Sequence, residues 1–173
     1  LFVDDSLRFE SRMDNFSFAE TRLINAWADY TRYVNDGEWF LRSFIQGNNP
    51  LRAVKAGDAR GIINFDEKRL YKLEYRLSDY HGNGSVYRFC VRGAKQDIPP
   101  FAKEGHYLLW FLNNMLEYDA FSLAIPAGEL FDNTLLEVAV TDGEYNISRR
   151  VSFGSEPIPL WHKAELSLKV DSL

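Results

Sequence analysis

Cysteine is almost absent from this chain. Cys90 stands alone, so no internal disulfide can close and cysteine usage does not decide the compartment. Long apolar runs are missing too: no stretch approaches the roughly 20 residues that a membrane-spanning helix requires. Nor is there an excess of positive charge. The 20 Lys and Arg are outnumbered by 25 Asp and Glu, giving a net charge of -5. The basic residues are scattered singly, which leaves no face for a phosphate backbone and argues against nucleic acid as a partner. An initiator methionine is also lacking. The opening "LFVDDSLRFESRMD" reads as the end of one strand, a polar turn over Asp4 to Ser6 and the start of another strand, so we expect a piece of a longer polypeptide.

What the chain does have is apolar and aromatic mass. At 173 residues and 46% hydrophobic composition it can bury one sizeable core or two small ones. The stretch "GAKQDIPPFAKEG", with Gly93, Pro99, Pro100 and Gly105 among charges of both signs, reads as a domain junction in which the proline pair favours an extended connector. We therefore expect a module over 1–93, a linker over 94–105 and a second module over 106–173.

The first module contains one segment that does not alternate. In "NFSFAETRLINAWADYTRY", Ser17 followed by Glu20 is a capping-box pattern. Leu23, Trp27, Tyr30 and Val34 then recur at helical spacing, with Ile24 widening the stripe and Glu20, Arg22, Asp29 and Arg32 on other faces. The pattern predicts one amphipathic helix over about 17–35, with Gly37 as its stop. Its stripe should pack on its own core, the alternative being that Trp27 and Tyr30 dock a neighbouring domain.

Elsewhere the period is two. "EWFLRSFI" fits a strand or a short helix, and we read it as strand; "GIINF" is a short β-branched run. Tyr71, Leu73, Tyr75 and Leu77 alternate with Lys72, Glu74 and Arg76; after the turn "SDYHGNGS", Tyr87, Phe89 and Val91 alternate with Arg88, Cys90 and Arg92. This predicts a β-hairpin with a long loop. In the second module "HYLLWF" precedes an Asn-Asn turn, "LLEVAV" runs into the hairpin signal Asp142-Gly143, and in "KAELSLKV" Ala164, Leu166, Leu168 and Val170 share one face. Short strands at this spacing argue a mainly β chain of two small immunoglobulin-like β-sandwich modules, the first with one helix.

Several of these segments carry a resemblance. "FSFAETRLINAWADYTRY", "GNNPL", "RGIINFDE", "SDYHGNGSVYRFCVRG", "LAIPAGELFDN" and "PIPLWHKAELSLKV" resemble the region that follows the peptidase domain in the lysostaphin-like (M23 family) zinc metallopeptidases of Bacteroidetes. The similarity runs from Phe16 to about Val170, and the helix is its most specific piece. It departs at Gly84, where the family pattern has an apolar residue. The resemblance implies immunoglobulin-like, non-catalytic accessory modules of an exported peptidoglycan endopeptidase. Their place would be the periplasm or cell envelope of a Gram-negative bacterium, and their partner the neighbouring peptidase domain or another envelope module.

The residues themselves agree with a chain that does no chemistry. Peptidases of this kind hold zinc through clustered ligands that include a His-x-His pair. His81, His106 and His162 are spread along the chain in no such motif, so we expect no catalytic or metal-binding residue here, and zinc only in a separate peptidase domain. Ser85 and Ser155 follow glycines outside any nucleophile elbow. Cys90 sits mid-strand, where a small buried or edge hydrophobe is expected rather than a nucleophile. Asp79 with Asn83 invites a calcium reading but is explained by turn chemistry. The remaining candidates are aromatic: Trp39, Trp110 and Trp161, with Trp27 and Tyr30, are the residues that could form a ligand or docking surface. The alternative function is accordingly a carbohydrate or peptidoglycan binding module acting through exposed aromatics.

Overall fold

The computed structural model describes residues 1–97, 104–142, 148–154 and 156–170. The chain is mainly β, built from several small sheets and two short helices. It divides into two compact units, and the division is not linear. The described residues of Leu1–Phe16, Arg42–Ile45 and Leu51–Phe101 form the first unit; those of Ser17–Leu41, Gln46–Pro50 and Ala102–Leu173 form the second.

In the first unit, β1 (Phe2–Val3) and β2 (Ser6–Leu7) are joined by Asp4 and Asp5, both at positive φ (48° and 62°). That is the backbone a two-residue hairpin turn needs, and Asp tolerates it. A short pair, β3 (Glu10–Ser11) with β4 (Val54–Lys55), lies apart from the main sheet. The main sheet is completed by β5 (Leu70–Ser78) and β6 (Gly84–Arg92) in the order β2-β1-β5-β6. The expected hairpin is present in full register, from Leu70↔Arg92 to Ser78↔Gly84. Tyr71 and Leu73 are buried as the alternation predicts, but Leu77 and Tyr87 on the same face are exposed because the far end of the hairpin projects beyond the buried residues. Gly93 closes this unit's strand: a Cβ there would meet the Glu67 carbonyl and the Tyr71 ring. Neither "EWFLRSFI" nor "GIINF" is a strand. Only Leu41 forms an isolated bridge, to Ala28, and residues 62–65 run without ladder partners. An apolar run supplies burial, but a strand also needs a neighbour with free backbone groups.

The single helix expected over 17–35 is three pieces in the second unit. A 3-10 turn (Phe18–Glu20) carries the capping box of Ser17 and Glu20; α1 (Thr21–Trp27) and α2 (Tyr30–Asp36) follow. Between them Ala28 is extended (φ -66°, ψ 164°), and the Asp29 carboxylate caps α2 by accepting from Arg32 N–H at 3.3 Å. The break re-aims the stripe. Leu23, Ile24 and Trp27 are buried, whereas Val34 on α2 is exposed. Gly37 ends α2 in the left-handed conformation (φ 72°), as the sequence predicts.

The segment expected in the first module therefore groups with the second unit, and the reason is polar. The Ala26 carbonyl has no N–H to accept within α1; the buried Gln46 amide donates to it. Asn49 Nδ2 donates to the Leu23 carbonyl at 2.9 Å, and Asn48 Nδ2 donates to the Gly128 and Leu130 carbonyls at 2.8 and 2.9 Å.

The rest of this unit is β7 (His106–Leu108), β8 (Asn114–Glu117), β9 (Phe121–Ile125), β10 (Thr134–Leu136), β11 (Val138–Thr141), β12 (Arg150–Phe153) and β13 (Glu165–Leu168). They form the pairs β10-β7 and β11-β12 and the sheet β13-β9-β8. The hairpin signalled by Asp142-Gly143 is the β11–β12 pair, although its turn beyond Asp142 lies outside the described residues, as do Pro99 and Pro100. The core gathers Leu108, Ala120, Leu123, Ile125, Leu130 and Leu136 around Phe121, which is fully buried between Tyr118 (stacked, 4.8 Å) and Phe153 (edge-on, 5.4 Å). Leu166 and Leu168 share one face of β13, opposite Leu123 and Phe121, but they and Val170 are exposed.

Truncating Trp27, which is 1% exposed, to Ala should cost about 3–5 kcal/mol of stability. Asn49→Ala should cost about 0.5–1.5 kcal/mol for each hydrogen bond lost, to the Leu23 carbonyl and to Gln46 Oε1. Urea unfolding followed by far-ultraviolet circular dichroism measures both.

Candidate functional site

The aromatic candidates separate into three environments. Trp27 is core and offers no surface, and Tyr30 is half-buried at the start of α2. Trp39 is 47% exposed; its ring meets Tyr33 edge-on at 5.0 Å and 85°, and Phe40 beside it carries the Arg32 guanidinium 4.7 Å above its ring. Tyr33, Val34, Trp39, Phe40 and Leu41 are all exposed on α2 and the segment after it, which the Tyr33–Trp39 contact joins, and the Arg32–Glu38 ion pair (3.9 Å) spans the same two pieces. Trp110 is half-buried against the core and meets Phe111 edge-on.

Trp161 belongs to a joint that sequence inspection does not find. Its ring lies nearly parallel to Phe131 (18°) and to His162 (6°). Its backbone N–H donates to the Glu129 carbonyl at 2.9 Å, and its own carbonyl accepts from Arg22 Nη1 at 2.8 Å. The Glu129 carboxylate accepts from the backbone N–H groups of His162 (2.7 Å) and Lys163 (3.1 Å), with His162 Nδ1 at 3.2 Å. Burial pushes this carboxyl's pKa upward, but the two backbone N–H groups and His162 outweigh it, so the net value is lowered from 4.5. The partners are 33 residues apart, so no local motif announces them.

The three histidines stay apart in role. His162 is in the Glu129 joint. His106 Nε2 lies 2.6 Å from the Tyr118 hydroxyl, in an open pocket of about 550 Å³ that Glu104, Glu137 and Val138 also line. His81 sits in the hairpin loop, where Asp79 accepts from the N–H groups of His81 and Asn83, both at 2.9 Å, and from the Asn83 amide at 2.7 Å. Those bonds, the Asn83 amide first, hold the Asp79 carboxyl below its ordinary value, and they are the turn chemistry expected for this loop. Cys90 is exposed on β6, and Ser85 pairs with Leu77 in the same hairpin; Ser155 lies outside the described residues.

A cleft of about 550 Å³ also lies in the first unit, between the β1–β2 turn and residues 55–69. Asp4 at its edge accepts from Lys72 N–H (2.9 Å) and Arg69 (2.6 Å), which lower its pKa in that order. Arg69 in turn lies 3.6 Å above the Tyr71 ring and bonds Glu67. These charges are spent on one another.

With β7 to β13 and their joint described, the similarity of this part can be stated. Residues 105–173 match the family model of the Zu5-like domain. The match begins one residue before β7 and takes in every strand of the second unit, together with the Glu129–His162 joint. It gives that segment a domain description of its own and does not bear on the peptidase resemblance. No curated protein and no solved structure matches the chain.

The Glu129 carboxyl has a lowered folded pKa, so its contribution to stability is complete above 4.5 and is lost as pH falls through the lower folded value. Glu129→Gln should therefore be less stable than the parent chain at neutral pH, with the gap closing below pH 4.5. Urea midpoints across that range measure it.

Proposed function

We propose that this chain is a non-catalytic accessory region of an exported M23-type zinc endopeptidase of the bacterial cell envelope, whose modules position, space or dock the enzyme domain. The observation that carries this reading is the exposed set of Tyr33, Val34, Trp39, Phe40 and Leu41. Its rings do not lie in one plane: Trp39 and Tyr33 are nearly perpendicular, and a face of Phe40 is covered by Arg32. A sugar-stacking row presents open ring faces, whereas knobs of this kind fill pockets on a protein partner. In the peptidases that the sequence resembles, the neighbouring peptidase domain is the partner to hand, and zinc would sit there. Three of the polar groups have structural work: Glu129 and His162 hold a joint, and Asp79 holds a turn.

A second reading, a peptidoglycan-binding module, draws on the near-parallel Phe131, Trp161 and His162 rings, with His162 exposed at the surface. Co-sedimentation with purified peptidoglycan sacculi separates the two. The accessory reading expects no saturable binding and no release of soluble fragments from the sacculi. Saturable binding that Trp161→Ala abolishes, while Trp39→Ala and Trp110→Ala retain it, would replace it by the binding module. Release of soluble fragments by the chain itself would end both.

A further inference from the structure

β13 is the outer strand of the β13-β9-β8 sheet, and no other described strand pairs with its free edge. All four of its residues are exposed. The ladder with β9 fixes which backbone groups point outward. Lys169 N–H donates to the Ala120 carbonyl at 2.9 Å, continuing the register Glu165↔Ala124 to Leu168↔Phe121. Hydrogen-bonded pairs alternate along an antiparallel ladder. Residues 165, 167 and 169 therefore bond inward to β9, and Leu166 and Leu168 turn their N–H and carbonyl groups to the open edge.

We propose that β13 pairs antiparallel with β13 of a second copy of this chain about a two-fold axis through Ser167, joining the two sheets edge to edge. In that register the outward groups of Leu166 meet those of Leu168 of the other copy, so both donors and both acceptors are matched. Opposite residues of an antiparallel pair share a face. Leu166 and Leu168, 47% and 51% exposed on the side that carries Phe121 and Leu123, thus cover one another across the axis. On the other side Glu165 stands opposite Lys169, whose ammonium otherwise rests on the Tyr118 carbonyl at 3.1 Å. Ala164 stands opposite Val170.

Charge selects this register. Slipping by two residues one way sets Lys163 against Lys169 and leaves Glu165 facing Ser167. Slipping by four the same way sets Glu165 against Glu165, and by four the other way sets Lys169 against Lys169. The other long free edge, β6, carries only Arg88 and Arg92 as charged residues, so a second copy would bring it no opposite charge. This inference stands on β13 alone and is independent of the accessory reading.

The test is sedimentation equilibrium of the intact chain over a concentration series, with near-ultraviolet circular dichroism reporting that each variant is folded. The parent should show a reversible dimer. Glu165→Lys and Lys169→Glu should each raise its dissociation constant about tenfold, since each places two like-charge contacts in the dimer. The double variant Glu165→Lys with Lys169→Glu should restore it. A chain that stays monomeric up to about 1 mM, a dimer indifferent to the single reversals, or a double variant that fails to recover would each overturn the proposal.

Discussion

A seven-residue helix cannot satisfy its own carbonyls, and the second unit is arranged around that need. α1 is buried along Leu23, Ile24, Ala26 and Trp27, so the groups at its end are cut off from water. Leaving a buried carbonyl without a donor costs about 1–3 kcal/mol, comparable to a large part of what burying an aliphatic side chain contributes. Gln46 supplies that donor at the Ala26 carbonyl; Asn49 adds a second donor to the Leu23 carbonyl and also donates to Gln46 at 3.2 Å, so the two amides orient one another. Asn48 turns the other way to the carbonyls of Gly128 and Leu130. One short segment thus ties the helix to the loop after β9.

The same logic runs through the Glu129 joint. Arg22 on α1 reaches the carbonyls of Trp161 and His162, while Glu129 takes the N–H groups of His162 and Lys163. Residues 161–163 have all three N–H groups met, and the carbonyls of Trp161 and His162, without lying in a strand, which is how an irregular segment survives beside a core. Aromatic packing then fills what the polar contacts position: Phe121 between Tyr118 and Phe153, and Phe131 under Trp161.

Local patterns were legible in the sequence where the physics is local. The capping box at Ser17 and Glu20, the glycine stop at Gly37 and the β5–β6 hairpin each depend on residues a few positions apart, and each is present. The break at Ala28 was not, because the spacing of Leu23, Trp27, Tyr30 and Val34 continues through it; the available signal was Asp29, a good cap for a second helix. Periodicity tells which residues share a face but not whether anything covers that face. Leu73 and Leu77 share one side of β5, yet only Leu73 is buried. Of the candidate site, the aromatic residues were visible as types, but the separation of Trp27 into the core and Trp39 onto the surface was not. The Glu129–His162 contact is long-range and had no signature at all.

The linear reading of the domains meets the same limit. Sequence divides at prolines and glycines, and the Zu5-like match likewise occupies one continuous stretch, 105–173. The packed unit instead recruits Ser17–Leu41 and Gln46–Pro50. A polypeptide of 105–173 alone would keep β7 to β13 but lose Arg22 and the amides of Asn48, whose acceptors at Gly128, Leu130, Trp161 and His162 all lie inside that stretch. Those carbonyls would have to find water or rearrange. The helical segment is thus an integral part of the β unit it serves, which explains why a well-capped helix stands in a chain that otherwise alternates.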